Sequence, residues 1–359
     1  MHVPLRLIGP AIRGLVLQKG KSGPTTTVPV RHDSQFNWTY KREKNEFARL
    51  YDLAKRSQWN ASEALDWNIN VDPHNPKIEL VPDEWSPLPE IRAYRLLPKK
   101  TKQLHRKQLL TWMLSQFLHG EQGALFAACQ VTEAIQEVDG KLFGSTQVVD
   151  EGRHVEVFTR YLTEKMEKLY DINDNLYTII DALMSESRWD MKFLGMQIMI
   201  EGLALGAFAT LRNTTQEPLL REILRLVIMD EARHVHYGVV TLQKYYATLP
   251  PRKKREREDW AFEVALLLRN RFLAHEFYEE YYAHLMSRQT WNKVMLRSKY
   301  MDRFRKTMFR RLIPNLKRIH LLSDRIRPHY ESIGLLQWES EKAAPELTVE
   351  EAMQDVPQN

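Results

Sequence analysis

One five-residue word occurs twice in this chain. Asp150-Glu151-Gly152-Arg153-His154 recurs as Asp230-Glu231-Ala232-Arg233-His234. Residues i and i+3 project from one face of a helix, so the Glu and the His of each word can converge on a single metal ion. Thirty residues before each of those glutamates stands another. Glu121 opens Glu-Gln-Gly-Ala-Leu-Phe-Ala and Glu201 opens Glu-Gly-Leu-Ala-Leu-Gly-Ala, and the two stretches match at four of their seven positions.

Four glutamates and two histidines form a hard donor set that suits iron or manganese better than calcium, and carboxylates can bridge two ions held close together. A glutamate from each of two helices and Glu-x-x-His from each of two others is the ligand scheme of di-iron and di-manganese carboxylate bundles. The candidate ligands are therefore Glu121, Glu151, His154, Glu201, Glu231 and His234. Asp150 and Asp230 are placed to accept a hydrogen bond from the second ring nitrogen of a liganding histidine, and Arg153 and Arg233 to balance buried carboxylate charge. A lone Glu-x-x-His on a charged helix surface would mean little. Here the flanks Phe117-Leu118, Ile198-Met199-Ile200 and Val227-Ile228-Met229 are apolar, and unpaired carboxylates buried among them would be costly.

Other residues invite the same reading and fail it. His236 lies two positions past His234, which turns it about 200° around a helix, and His119 stands in the same relation to Glu121; both read as surface or interhelix residues. Met191, Met196 and Met199 read as core packing, Trp59 as packing near the bundle, and Cys129 as a small core residue.

The elements that must position these groups follow from the spacing. Thirty residues is about the length of four turns down one helix, a short reversal and four turns back. Breaks at Asp139-Gly140, near 171–175 and at 214–218 delimit four long helices over 101–138, 142–169, 187–213 and 218–248. The fold class is all-α: a four-helix bundle over 101–248 with additional flanking helices, and no alternating strand pattern. Before it lie a basic arm (1–35), read as disordered, and a segment of one or two helices followed by a proline-rich linker (36–100). After it come helices over 249–338 that pack on the bundle and an acidic, polar tail (339–359), also read as disordered.

Composition narrows the class further. At 359 residues the chain exceeds the minimal bundle, and with 43% hydrophobic and 27% charged residues it reads as globular. No run of about 20 uninterrupted apolar residues suggests a membrane span. The single cysteine, Cys129, leaves no internal disulfide framework, zinc ribbon or cysteine-ligated iron centre. The net charge of +6 is spread over interleaved acids and bases, a pattern of solvated helix faces that predicts no nucleic-acid partner. Residues 1–32 carry Arg6, Arg13, Lys19, Lys21 and Arg31 without an acid, yet Pro4, Pro10 and Pro24 spoil a long amphipathic helix, and no cleavage site follows an apolar core.

The repeated words and their spacing resemble the ferritin-like di-iron carboxylate superfamily, and most nearly its bacterial monooxygenase hydroxylases; the arylamine N-oxygenases and acyl desaturases are related members. The resemblance covers about 101–248. It implies two iron ions, or a manganese–iron pair, that use dioxygen as co-substrate to hydroxylate or N-oxygenate an apolar, aromatic or lipid-like small molecule. It also implies electrons from an external ferredoxin or flavin reductase, a cytoplasmic setting and a homodimer. Acyl desaturation, and a ferroxidase or metal-binding role without an organic substrate, stay open. Certain departures narrow the choice. Phe158 stands where the ribonucleotide reductase small subunit places its radical tyrosine, and Val227 where the N-oxygenases place an extra histidine. Gly123, Ala124, Ala127, Ala204, Gly206 and Ala207 either leave room beside the metals, lined by Leu125, Leu205 and Phe208, or simply let helices approach.

Overall fold

The computed structural model describes residues 7–348 except 31, 44, 76 and 77, together with residue 351. Every regular element among them is helical. Four long helices form the centre. After α1 (Glu46–Arg56), α2 spans Lys99–Ala134 and α3 Val138–Arg160, the latter extended by a π-helical stretch, Tyr161–Met166. A short helix, α4 (Asp174–Ser185), then crosses to α5, which runs Trp189–Thr214, and α6 spans Pro218–Thr248. Helix α2 packs along α3 and α5 along α6, giving two antiparallel pairs. Helices α7 (Pro251–Asn270), α8 (His275–Tyr281), α9 (Arg288–Arg297), α10 (Lys299–Met308) and α11 (Leu312–Arg318) wrap the outside.

The helix ends have local causes. Helix α6 opens with Pro218 at its first position, where a missing N–H costs nothing. The carboxylate of Glu217 before it accepts from the backbone N–H groups of Leu219 and Leu220 at 2.9 and 2.7 Å. Tyr161 donates to the same carboxylate at 2.8 Å, tying the start of α6 to the end of α3. The reversal between α2 and α3 falls at Ile135–Glu137, so Asp139 and Gly140 lie inside the first turn of α3 rather than in the loop. There the buried Asp139 side chain accepts from the Glu43 N–H at 2.8 Å and pairs with Arg42.

Three features depart from the expectations above. Residues 7–30 of the basic arm are ordered: short turns at Ile8–Ala11 and Ile12–Val16 lie on α4. The Arg13 guanidinium grips the buried Asp181 carboxylate of α4 at 2.8 and 2.5 Å, and Lys21 sits 2.8 Å from Glu276 and 3.1 Å from Asp174. The arm's cations thus neutralise acids of other helices, which composition alone does not reveal. Helix α4 itself lay unassigned between the second and third predicted helices. In the acidic tail, Ala343 and Ala344 are buried and Ala344–Glu346 forms a single 3₁₀ turn; residues 1–6 and 31 of the arm and 349, 350 and 352–359 of the tail lie outside the described residues.

Helix α5 is long and apolar enough to cross a membrane, but 94% of its most apolar window is buried inside the bundle. It is the central core helix. Its second and third turns, Leu194–Ile200, are π-helical and deliver Glu201 at the start of the following α-helical stretch. The close approach of α6 at this point requires Gly238, where a Cβ would fall 2.3 Å from that of Gln197.

Candidate metal centre

All six predicted ligands meet at mid-height in the bundle, each no more than 5% exposed. Glu121 comes from α2, Glu151 and His154 from α3, Glu201 from α5, and Glu231 and His234 from α6. Two donor groups form. Glu121, Glu151, His154 and Glu231 place ligand atoms within 4.8 Å of one another, and so do Glu151, Glu201 and His234. Glu151 belongs to both groups. Glu231 also reaches both histidines, its oxygens lying 3.3 Å from His154 Nδ1 and 3.8 Å from His234 Nδ1.

The histidines face the glutamates through Nδ1. His154 Nδ1 lies 3.3 Å from Glu121 and 3.5 Å from Glu151, and His234 Nδ1 3.1 Å from Glu151. Their Nε2 atoms point the other way, across the bundle. His154 Nε2 is 3.2 Å from Asp230, and His234 Nε2 is 3.2 Å from Asp150. Each aspartate therefore serves the histidine of the other half, and a donated Nε2–H leaves Nδ1 with its lone pair toward the glutamates. Arg153 and Arg233 each contact both aspartates, closing a buried layer of two acids and two guanidinium groups.

Two observations test whether this site fits metal ions. Glu151 Oε2, Glu201 Oε2, Glu231 Oε2 and His234 Nδ1 are buried without a hydrogen-bond partner, which is costly for such groups unless something else satisfies them. The protein alone also leaves the charges in conflict. Burial pushes the Glu121 carboxyl up to about 8, only partly offset by His154, and burial together with Glu231 and Glu151 pushes Glu201 well above the carboxylate range. Burial acts on Glu151 too, but His234 and His154 outweigh it and hold that carboxyl low. Burial opposes the charging of both histidines, yet their acidic neighbours raise them well above the ordinary imidazole value. Two divalent cations held here would resolve the conflict, with all four glutamates ionised and both imidazoles neutral.

Several residues at the site carry no motif. Gln147 donates to Glu201 at 2.9 Å and to Glu151 at 3.3 Å, and Gln197 of the π-helical stretch donates to Gln147. Gln58 and Trp59 arrive from the segment after α1: Gln58 donates to Asp150 at 2.9 Å and Trp59 Nε1 to Asp230 at 2.8 Å. Trp59, read above as packing, also stacks beneath the Arg153 guanidinium. Arg271, in a 3₁₀ turn after α7, faces the same cavity as Glu121, Glu201 and Glu231. His119 and His236 stand apart from the centre, with Nε2 of the first near the Tyr170 carbonyl and of the second near Glu46.

The cavity beside the ligands is about 20 Å³, space for one water-sized guest, and is lined by Phe117, Gly120, Ala124, Ile200, Ala204 and Phe208 among others. The small residues divide between the two roles anticipated for them. Ala124 and Ala204 border the cavity, whereas Gly123 abuts Ile180 of α4 and Gly206 meets the Met308 backbone of α10. Leu205 lines a different cleft, with Met229 and His236, and Leu125 is half-buried away from the cavity.

No protein-family model and no curated protein matches the chain. Among solved structures, it is similar to an R2-like ligand-binding oxidase variant with an anaerobically reconstituted Mn/Fe cofactor, at 18% identity over 77% of this chain and 93% of that one, with a TM-score of 0.46. A second variant of that oxidase matches at 16% identity over 81% of this chain and 100% of the other, with a TM-score of 0.47.

Proposed function

We propose that the protein is a di-metal oxidoreductase that uses dioxygen, holding two iron ions, or manganese with iron, on Glu121, Glu151, His154, Glu201, Glu231 and His234. The observation that carries this is the convergence of two Glu-x-x-His turns and two further glutamates, with three carboxylate oxygens and an imidazole nitrogen buried and unpartnered. Bound ions supply the redox chemistry that the side chains lack. The chain's own residues do the rest. Asp150 and Asp230 fix the histidine tautomers and ring planes, Gln147 orients Glu201, and Phe117, Ile200 and Phe208 keep bulk water from the cavity.

The substrate in this reading is a small apolar or lipid-like molecule that gains an oxygen atom, with electrons from an external ferredoxin or flavin reductase. The absence of any second cysteine supports an external source, since the chain has no thiolate-ligated redox centre of its own. The test is to supply the reduced, metal-loaded protein with isotopically labelled dioxygen and a panel of apolar substrates, and to weigh the products. One labelled oxygen atom per product supports the reading. A product with a new double bond and no added oxygen, or dioxygen consumed without an organic product, contradicts it.

A further inference from the structure

Arg271 is the cation at this centre that the metal ligands do not account for. It is 3% exposed, its Nε has no hydrogen-bond partner among the described residues, and it lines the cavity with Glu121, Glu201 and Glu231. Its guanidinium stacks on its neighbour Phe272, 4.7 Å from the ring centroid. A buried guanidinium normally finds a carboxylate, because its five donors are expensive to strip of water.

Counting charges shows that this cation is surplus. Two divalent ions balance Glu121, Glu151, Glu201 and Glu231, and Arg153 and Arg233 balance Asp150 and Asp230. Arg271 faces the cavity with no carboxylate paired to it among the described residues, feeling only the Glu121 charge already assigned to the metals. The backbone keeps it there against a local preference: the 3₁₀ turn Arg271–Leu273 ends at the buried Ala274, whose φ of 50° is left-handed and disfavoured for alanine.

The far side of the same turn is apolar. Phe272 faces a second cavity lined by Trp85, Trp112, Met113, Met301 and Phe304. Met113 lies one helical turn before Gln116, which borders the cavity at the ligands, so the two spaces are neighbours along α2, divided by the Arg271–Phe272 turn. Methionines in such a wall adapt to guests of varied shape.

We propose that Arg271 is the anchor for the carboxylate of an organic acid, so that the protein's substrate is an apolar molecule with one carboxylate end rather than a neutral hydrocarbon. The acid's two oxygens meet the forked donors of Arg271, and its apolar body displaces the methionine and aromatic side chains bordering the turn. This rests on the di-metal reading above.

The test compares matched acids and amides, hexanoate with hexanamide and benzoate with benzamide, on the metal-loaded protein. Binding is followed by calorimetry and by the optical bands of the metal centre, and metal content is measured on each sample. The acids should bind at least tenfold more tightly than the amides. Arg271→Met should abolish that preference while keeping its metal, and Arg271→Lys, which keeps the charge without the fork, should weaken it. Equal binding of acid and amide to the wild type overturns the proposal even if two metals are present, as does an undiminished preference in both variants. A wild-type protein that takes up no metal refutes the di-metal reading instead.

Discussion

His154 Nε2 lies 3.2 Å from Asp230 Oδ2, on the helix opposite its own Glu-x-x-His turn. With its counterpart, His234 to Asp150, this contact joins the two halves of the repeat at the level of the ligands. The aspartate in each word is therefore matched to the histidine of the other word, which explains why the whole five-residue word recurs rather than its Glu and His alone.

Replacing either aspartate should loosen the metals without removing a ligand. Asp230→Asn keeps the shape but removes the charge that faces His154, Arg153, Arg233 and the Trp59 N–H. Metal affinity, measured by competition with a chelator, should fall by about 10- to 100-fold. The smaller loss is expected for Asp150→Asn, whose partner from outside the bundle is an amide, Gln58, rather than an indole.

Metal uptake should release protons. With Glu121 pushed up to about 8, Glu201 higher than an ordinary carboxyl and both histidines raised, the metal-free centre holds protons at neutral pH that bound cations must expel. Apparent affinity should rise as pH goes from 6 to 8. Calorimetry in buffers of different ionisation enthalpy checks this, and an affinity that falls over that interval would contradict it.

Lys192 supplies a pH effect remote from the centre. It is fully buried, and its ammonium donates to the carbonyls of Leu183 and Met184 at 3.1 Å, ending α4, and to Gln130. Burial lowers its pKa to about 8 from 10.5, so the folded chain gives up this proton before the unfolded chain does. The unfolded state then binds more protons, and stability contributed by this group rises from pH 8 to about 10.5, by about 3 kcal/mol. In denaturant melts the wild type should gain stability relative to Lys192→Met as pH rises from 8 to about 10.5; a constant or shrinking difference would refute it.

Gly206 sets the distance between α5 and α10. A Cβ there would stand 2.9 Å from the Met308 carbonyl oxygen and 3.0 Å from its Cα, backbone atoms that cannot rotate away. Gly206→Ala should cost about 1–3 kcal/mol in a denaturation midpoint analysis.

The centre was legible because a repeat disclosed it. Two copies of a five-residue word, each thirty residues after a glutamate, point together to the helix pairing and to the six side chains that converge. The groups that support the ligands were not, since Gln58, Trp59 and Arg271 come from segments outside the repeat, and no periodicity brings a residue before α2 or after α7 to mid-bundle. Gln147 sits inside the repeat, four residues before Glu151, but position 227 of the second half is valine, so comparison of the halves passes over it. The π-helical turns at Leu194–Ile200 lie in a uniformly apolar run that reads as ordinary core helix. The ordered arm was hidden for another reason. Its cations pair with Asp181, Asp174 and Glu276, more than 150 positions away.

The most direct measurement is metal content by elemental analysis after anaerobic reconstitution with ferrous and manganous ions, on wild type and Glu231→Ala. The account predicts about two ions per chain in the wild type, and loss of at least one when Glu231, which reaches both histidines, is removed. A wild-type protein that stays metal-free after reconstitution, or a Glu231→Ala variant that binds the same two ions with unchanged affinity, would contradict it.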